Sequence, residues 1–315
     1  VSPIQNKYTA KWLSTARTKV VHWHLLKNRM PYFMLADLHT HSLASDGVLA
    51  PAELLARAEN NGVNLLALTD HDTMSGVQAL QASIASGELQ TTVELVPGVE
   101  ITTMVNGACV HVVGLWLDSA HSGLQRLLSG QRQVRVERAE RIAVKLEREG
   151  MQGVLEGARR HAGEAVISRP HFARYLVEQQ YCTNEQQAFR RWLGKSKVGD
   201  VACIWPELEE VVATVQSAGG VAVLAHPTKY GLTRTKLDGL IGSFSEAQGD
   251  AIELVSGAQQ SNVTNDLLKL CERYPVAFST GSDFHSPAQT WCDLGQQPAM
   301  PEAAEPIWML RQAAA

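Results

Sequence analysis

The chain predicts an α/β fold in which strands alternate with helices and a helical insertion interrupts the series. Three observations carry that expectation. Short apolar runs recur, each bounded by a polar turn. Helical patterns separate most of them. Metal-type side chains also sit at or near the ends of these runs, beginning with His39 and His41 in Asp37-Leu38-His39-Thr40-His41-Ser42.

The elements follow in order. Residues i and i+2 of a strand project to the same face, so His39 and His41 at the first strand end can grip one ion together. Imidazole suits zinc, manganese, iron, nickel or copper. Asp46 lies on the loop just after. Pro51 to Asn60 reads as a helix opened by proline and closed near Gly62. Asn64 to Asp70 is a buried strand followed at once by His71-Asp72, and Thr73 to Ser86 is the next helix. Val93 to Val99, with Pro97-Gly98 near its end, delivers Glu100. The apolar run Cys109 to Leu117 carries His111 inside it. Beyond the insertion, Pro206 to Ala218 ends in Gly219-Gly220 as helix C-termini often do. Val221 to Ala225 then ends in His226-Pro227. Thr233 to Gln248 and Ser261 to Tyr274 are helices that each lead into a strand, and Val276 to Ser282 ends in Asp283-Phe284-His285, another i, i+2 pair. Strands separated by helices imply parallel pairing and right-handed crossovers.

A lone histidine is ordinarily a packed or surface group. Six of the eleven histidines at strand-linked positions, with Asp46, Glu100 and Asp283, instead point to one metal site at the strand ends, where α/β folds build their active face. The mixed nitrogen and oxygen donors, with no cysteine among them, fit manganese, iron or zinc. Asp70 and Asp72 are expected beside the ions, one of them accepting the free ring N–H of His71 and fixing its orientation. No P-loop is present, and no G-x-S-x-G surrounds Ser42 or Ser282.

Composition agrees with a water-soluble enzyme. Hydrophobic residues make up 45% of the 315, ample for a core, and no apolar run approaches the roughly 18 residues of a membrane span. Five scattered cysteines without a C-x-x-C favour a reducing, cytoplasmic setting. Charge is unevenly spread behind the net −4: residues 119–200 carry 15 Lys/Arg against 9 Asp/Glu, and residues 1–34 carry 6 Lys/Arg and no acid. The remaining acidic portion suits multivalent cations, and the basic insertion suits a polyanion. Within that insertion (119–204, all helical by pattern), Arg132, Arg135, Arg138, Arg141, Lys145 and Arg148 interleave with glutamates as on a solvated helix face. Arg169-Pro170-His171-Phe172-Ala173-Arg174 differs. It follows Ser168, an N-cap, so a helix N-terminus flanked by Arg169, His171 and Arg174 forms a phosphate receptor, with Lys195 and Lys197 as further basic contacts. Residues 1–34 read as a basic extension outside the fold.

The order DLHTHS, Asp46 in SDG, LTDHD, PGVE, His111, AHP and GSDFH resembles the PHP (polymerase and histidinol phosphatase) superfamily of metal-dependent phosphoesterases, from Asp37 to about His285. Gly98-Val99-Glu100-Ile101, His111-Val112-Val113-Gly114-Leu115, the Arg169–Arg174 stretch and Val223-Leu224-Ala225-His226-Pro227 look most like the branch of 3′,5′-nucleoside bisphosphate phosphatases and RNase AM. The resemblance implies a distorted (β/α)7 PHP barrel, made of residues 35–118 and 205–315, with the insertion capping the metal site as a substrate lid. It also implies up to three divalent ions, usually Mn2+, with Zn2+, Fe2+ or Mg2+ as other candidates. His39, His41, Glu100 and Asp283 would hold one ion. Glu100 would bridge to a second held by His111 and His226, and Asp46, His71 and His285 would hold a third. Glu100, Asp283 and His226 are the expected catalytic residues. The implied activity is removal of the 3′-phosphate from 3′,5′-bisphosphonucleotides such as pAp. Alternatives are a 5′→3′ exoribonuclease on short 5′-phosphorylated RNA, a histidinol phosphate phosphatase, and a non-catalytic metal-binding module. The expected partner is a nucleotide or short oligonucleotide, not duplex DNA or a membrane. The resemblance breaks at Gly199-Asp200-Val201-Ala202, where Asp200 would bring negative charge toward the phosphate receptor.

Overall fold

Seven strands in sequential order form a sheet that curls until its last strand meets its first. The computed structural model describes residues 34–309; the basic extension expected at 1–34 lies outside them except for its last residue. The strands are β1 (Ala36–Asp37), β2 (Leu65–Leu68), β3 (Glu94–Val105), β4 (Ala108–Leu115), β5 (Val221–Leu224), β6 (Ala251–Ser256) and β7 (Ala277–Gly281). Backbone bonds Leu38 N→Thr280 O (3.0 Å), His41 N→Phe284 O (2.9 Å) and Asp283 N→His39 O (2.9 Å) stitch the two edges together. The close approach requires Gly281: a Cβ there would stand 2.3 Å from the His39 Cβ and 2.8 Å from its backbone nitrogen. Buried Asp37 ties the seam further, accepting from Ser282 N (2.8 Å) and Gly295 N (2.9 Å).

The helices fall close to where the sequence places them. They are α1 (Pro51–Asn60), α2 (Ser75–Ser86), α3 (Ser122–Arg148), α4 (Val154–Ala162), α5 (Arg169–Glu178), α6 (Glu185–Ala188), α7 (Leu208–Ser217), α8 (Arg234–Glu246) and α9 (Ser261–Cys271). At α1 the Glu53 carboxylate accepts from Ala50 N at 2.9 Å, satisfying one of the amides a helix start leaves free, and Pro51 needs no partner for its missing N–H. The α7–α9 spans end one to three residues earlier than their sequence patterns, an ordinary margin for frayed ends.

One expectation is overturned. Parallel pairing does not run throughout: β3–β4 and β4–β5 are antiparallel, while the other described pairs are parallel. The cause is local. Asn106-Gly107, both at positive φ (49° and 77°), make a two-residue hairpin turn, so β3 runs on past Glu100 to Val105 before reversing. Asn-Gly is the strongest short hairpin signal and was legible in the sequence.

Two hydrophobic clusters organise the interior. The larger lies between the sheet and the helices around it, with Leu66, Leu68, Val99, Ile101, Leu224 and Ile252 among the sheet's contributions. The smaller joins Ala139, Ile142, Leu146, Val154, Phe172 and Leu176 within α3–α5. Helix α3 serves both: Leu124 and Leu128 near its start pack on the sheet, and its second half packs on α4 and α5. Burying its Leu and Ile side chains at both ends, at about 1.5–3 kcal/mol each, makes α3 a shared beam.

Candidate metal centre

Glu100 lies inside β3 and is buried. The hairpin register sets His111 opposite Thr102, and diagonal neighbours across an antiparallel pair lie within side-chain reach. The His111 Nδ1 is accordingly 2.7 Å from Glu100 Oε1, and His226 Nε2, arriving from the end of β5, is 2.9 Å from the same oxygen. The other oxygen, Oε2, faces His71 Nδ1 at 2.9 Å, His41 Nε2 at 3.3 Å and His39 Nε2 at 3.4 Å. One carboxylate therefore meets five imidazoles from four regions of the sheet. Asp283 Oδ1 adds contacts of 3.5 Å to His41 and 3.7 Å to His39. Asp46 reaches His285 Nε2 at 3.4 Å and His71 Nε2 at 3.7 Å.

All nine sequence-predicted ligand residues come together, in four overlapping sets of donors lying within 4.8 Å of one another: His41, Asp46, His71 and His285; His39, Glu100 and His226; His39, His41 and Asp283; His71, Glu100 and His111. The grouping is more interlocked than three separate triads, because His39, His41, His71 and Glu100 each belong to two sets. Two backbones are strained to serve it. His226 and Asp283 sit at φ 30° and 54°, a region that non-glycine residues rarely enter and that clusters at functional sites.

The donor set fits divalent cations on its own chemistry. Buried His39 Nε2, both ring nitrogens of His41, Asp46 Oδ1, His71 Nδ1 and Glu100 Oε2 make no hydrogen bond. Leaving such atoms unpaired costs about 1–3 kcal/mol each, and natural interiors rarely tolerate it. The charge balance agrees. Burial alone would push the Glu100 carboxyl up, but the imidazoles of His111, His71 and His39 outweigh it and hold it well below the usual carboxylate range. Asp46 and Asp283 are likewise depressed against their burial by neighbouring histidines. Burial and the neighbouring His285 drop His41 to about 3, so it stays a neutral donor. Ionised carboxylates among imidazoles favour positive charge at their common focus.

Three supporting residues went unrecognised in the sequence. Glu253, a lone charge within the apolar strand β6, accepts from His226 N at 2.6 Å and lies 3.0 Å from His39 Nδ1. A carboxylate holding the far nitrogen of a metal-facing imidazole fixes its ring and tautomer. The signal was a glutamate amid Ala251-Ile252 and Leu254-Val255. Lys229 Nζ is 2.8 Å from Asp283 Oδ2. Arg135, expected on a solvated helix face, is instead buried, with Nε 2.6 Å from Asp72 Oδ2 and Nη2 2.9 Å from Thr102 Oγ1. The other charged residues of that face, Arg132, Arg141, Lys145 and Arg148, are exposed, and Arg138 is half-buried.

Asp70 and Asp72 support the site differently from the expectation. Asp70 accepts from Ser42 N (2.8 Å), Ser42 Oγ (2.7 Å) and Ser45 Oγ (2.6 Å), bracing the loop that carries His41 and Asp46 and not the ring of His71. Asp72 takes Thr102 N (2.9 Å), Gln131 and Arg135, anchoring α3 to β3.

The insertion reaches the centre through α5. Ser168 Oγ is 3.3 Å from Asp46 Oδ2, and Arg174 Nη2 donates to the Asp46 carbonyl. His171 Nδ1 accepts from Ser168 N at 2.9 Å, so this ring caps its own helix. Burial first, then Arg174, lowers His171 to about 4, leaving it neutral. Arg169 Nη1 donates to Leu193 O at 3.3 Å. Burial and the nearby Arg169 guanidinium pull Arg138 down to about 10, the mark of two like charges sharing a half-buried space. Lys195 and Lys197 are exposed, and Asp200 Oδ2 closes their loop by accepting from Ser196 N at 2.8 Å.

Comparison with known proteins places the whole arrangement. A protein of Haemophilus influenzae named 5′-3′ exoribonuclease is 39% identical over 272 residues, covering 86% of this chain and 97% of its own length. One of Chromobacterium violaceum named 3′,5′-nucleoside bisphosphate phosphatase is 37% identical over 273 residues, covering 86% and 94%. The solved structure of an amidohydrolase from Chromobacterium violaceum, with bound sulfate and no metal, matches with a TM-score of 0.81 at 37% identity over 88% of this chain and 96% of that one. A Bifidobacterium adolescentis structure matches with a TM-score of 0.71 at 25% identity, covering 90% and 96%. The PHP domain model matches residues 37–274, and with its seven-stranded sheet and its histidine-carboxylate cluster the chain belongs to the PHP family of metal-dependent phosphoesterases.

Proposed function

We propose that this chain removes the 3′-phosphate from 3′,5′-nucleoside bisphosphates such as pAp, using divalent ions held by His39, His41, Asp46, His71, Glu100, His111, His226, Asp283 and His285. The single observation that carries the reading is buried Glu100 facing five imidazoles at 2.7–3.4 Å in a mixed nitrogen and oxygen set, where its two oxygens would serve two ions. Mn2+ is the ion we favour, because harder oxygen donors and imidazoles are mixed without a thiolate; Zn2+, Fe2+ and Mg2+ are alternatives. Bound ions in such a site neutralise the phosphoryl oxygens and make hydroxide available at neutral pH.

The chain's own residues divide the remaining work. Glu253 orients His39 through its Nδ1, and Lys229 holds the outer oxygen of Asp283 so that the other oxygen faces the cluster. The segment 119–204 acts as the substrate lid, its α5 end lying against Asp46. Arg169 receives the phosphate that is not cleaved, from the N-terminal turn of α5. His171 and Arg174 contribute by docking α5 onto the Asp46 loop; exposed Lys197 is a further cation for the substrate's flank. Glu100, Asp283 and His226 line the reacting centre.

A second reading is favoured by a cleft of about 950 Å³ that opens from Asp46, Asp283 and His285. That lies at the upper end of the roughly 300–1,000 Å³ typical of small-molecule sites, leaving room for a 5′→3′ exoribonuclease substrate at the same centre. The five free cysteines fit a cytoplasmic enzyme, and no helix among the described residues is long and apolar enough to cross a membrane. Rates of the Mn2+-loaded protein on pAp and on a 5′-phosphorylated oligoribonucleotide test both readings. Phosphate release from pAp is expected; turnover of pAp alone removes the nuclease reading, and turnover of neither rejects both.

A further inference from the structure

The cleft beside the metal centre is lined from two parts of the chain. The insertion supplies Phe189 and Gln186 to its lining, and the barrel loops supply Val48, Lys229, Gln260 and Trp291. Trp291 is 67% exposed, the most exposed aromatic side chain of the described residues. Exposing an indole forgoes a large burial gain, so its surroundings matter. Its loop is not loose. Gln289 Oε1 accepts from His285 N at 3.1 Å, Cys292 is buried, and Asp293 clamps Arg57 with bonds of 2.8 Å and 2.6 Å. The backbone on both sides of Trp291 is therefore pinned while the ring projects into solvent at the cleft. A flat π-face held at low conformational cost is what a nucleobase stacks on, and such stacking is tolerant of base identity. The remaining chemistry agrees. Glu185, the one carboxylate of the cleft away from the metal ligands, faces Arg174 at 3.7 Å, and Lys229 adds a cation for a passing phosphate.

We propose that Trp291 is the stacking platform for the base on the 3′ side of the scissile bond, so that the cleft guides single-stranded RNA away from the metal centre. This rests on the phosphoesterase reading above and deepens its second form: the chain would prefer oligoribonucleotides whose second base reaches Trp291 over a bare bisphosphate. Phe189 also lines the cleft, with the Arg169 guanidinium 5.9 Å from its ring centre.

The test compares Mn2+-loaded wild type with Trp291→Ala and Trp291→Phe. Two quantities are read: the ratio of kcat/KM on a 5′-phosphorylated oligoribonucleotide to kcat/KM on pAp, and equilibrium binding of a 3′-labelled, phosphorothioate-linked oligoribonucleotide by fluorescence anisotropy. Trp291→Ala should lower both the ratio and the affinity about 5- to 100-fold, mainly through KM, and Trp291→Phe should restore most of the loss. An unchanged ratio and unchanged affinity in Trp291→Ala would overturn the platform. So would equal losses on both substrates, or a wild type that turns over pAp but does not bind the oligonucleotide. A wild type that binds the oligonucleotide through Trp291 but hydrolyses neither substrate would refute the phosphoesterase reading and leave the platform standing.

Discussion

Two ion pairs of nearly equal length show how differently charge is used where the insertion meets the barrel and on the insertion's outer surface. Arg135 and Asp72, 2.6 Å apart, join α3 to the sheet with side chains only 9% and 1% exposed. Arg159 and Glu156, 2.7 Å apart on α4, are 56% and 76% exposed. The first pair has surrendered its hydration and must be satisfied within the protein, which Thr102 and Gln131 complete. The second stays in water, where attraction, screening and side-chain entropy nearly cancel. The lesson extends to the regions. At the contact of α3 with the sheet each charge is embedded among partners and depends on them; across the outer insertion an apolar cluster packs the helices and the charges pair in water.

Breaking the centre should have the largest effect. Glu100→Gln removes the charge that five imidazoles face, and should abolish phosphatase activity and lower bound metal measured by elemental analysis; a fully loaded, active variant would contradict the bridging role. Next comes Asp72→Ala, which strands the Arg135 guanidinium in the interior. A loss of about 3–5 kcal/mol in denaturant unfolding is expected, with partial recovery in Asp72→Leu/Arg135→Met. Equal stability of the single variant and wild type would sink the contrast just drawn. Glu253→Gln should be milder, because Gln still offers an oxygen to His226 N but holds His39 less firmly. Metal affinity should fall about 10- to 100-fold by competition titration with a chelator. An affinity equal to wild type would show that Glu253 only fills space. Smallest of all is Glu156→Ala on the exposed pair. Its thermal midpoint should coincide with wild type, and a clear drop would mean that the exposed charges of the outer insertion are structural as well.

Much of the centre was legible beforehand because its grammar is local. His39 with His41, and Asp283 with His285, follow directly on short apolar runs, so their arrival at the strand ends was readable. Strand periodicity does not itself reach them: β1 stops at Asp37, β7 stops at Gly281, and Asp283 at φ 54° lies outside strand geometry. Apolar runs and proline or glycine punctuation likewise placed most helices to within a few residues. The hairpin at Asn106-Gly107 was equally local and was passed over in favour of uniform alternation. Arg135 is a different kind of miss. Its spacing among glutamates is that of a solvated face, and only the arrival of Asp72 from another element buries it.

By itself, then, the sequence determined which residue types would gather near the strand ends and that they suit divalent metal ions, since both follow from local order and donor chemistry. Hydrolysis came only with the resemblance to the PHP family. The tertiary structure alone decided who shares whom: that Glu100 meets five imidazoles, that Glu253 stands behind His39, that His171 caps its own helix, and that Trp291 faces an open cleft. These depend on which strands become neighbours and in what register. Sheet closure settles that through contacts between residues hundreds of positions apart, such as His39 with Glu253, at a separation of 214.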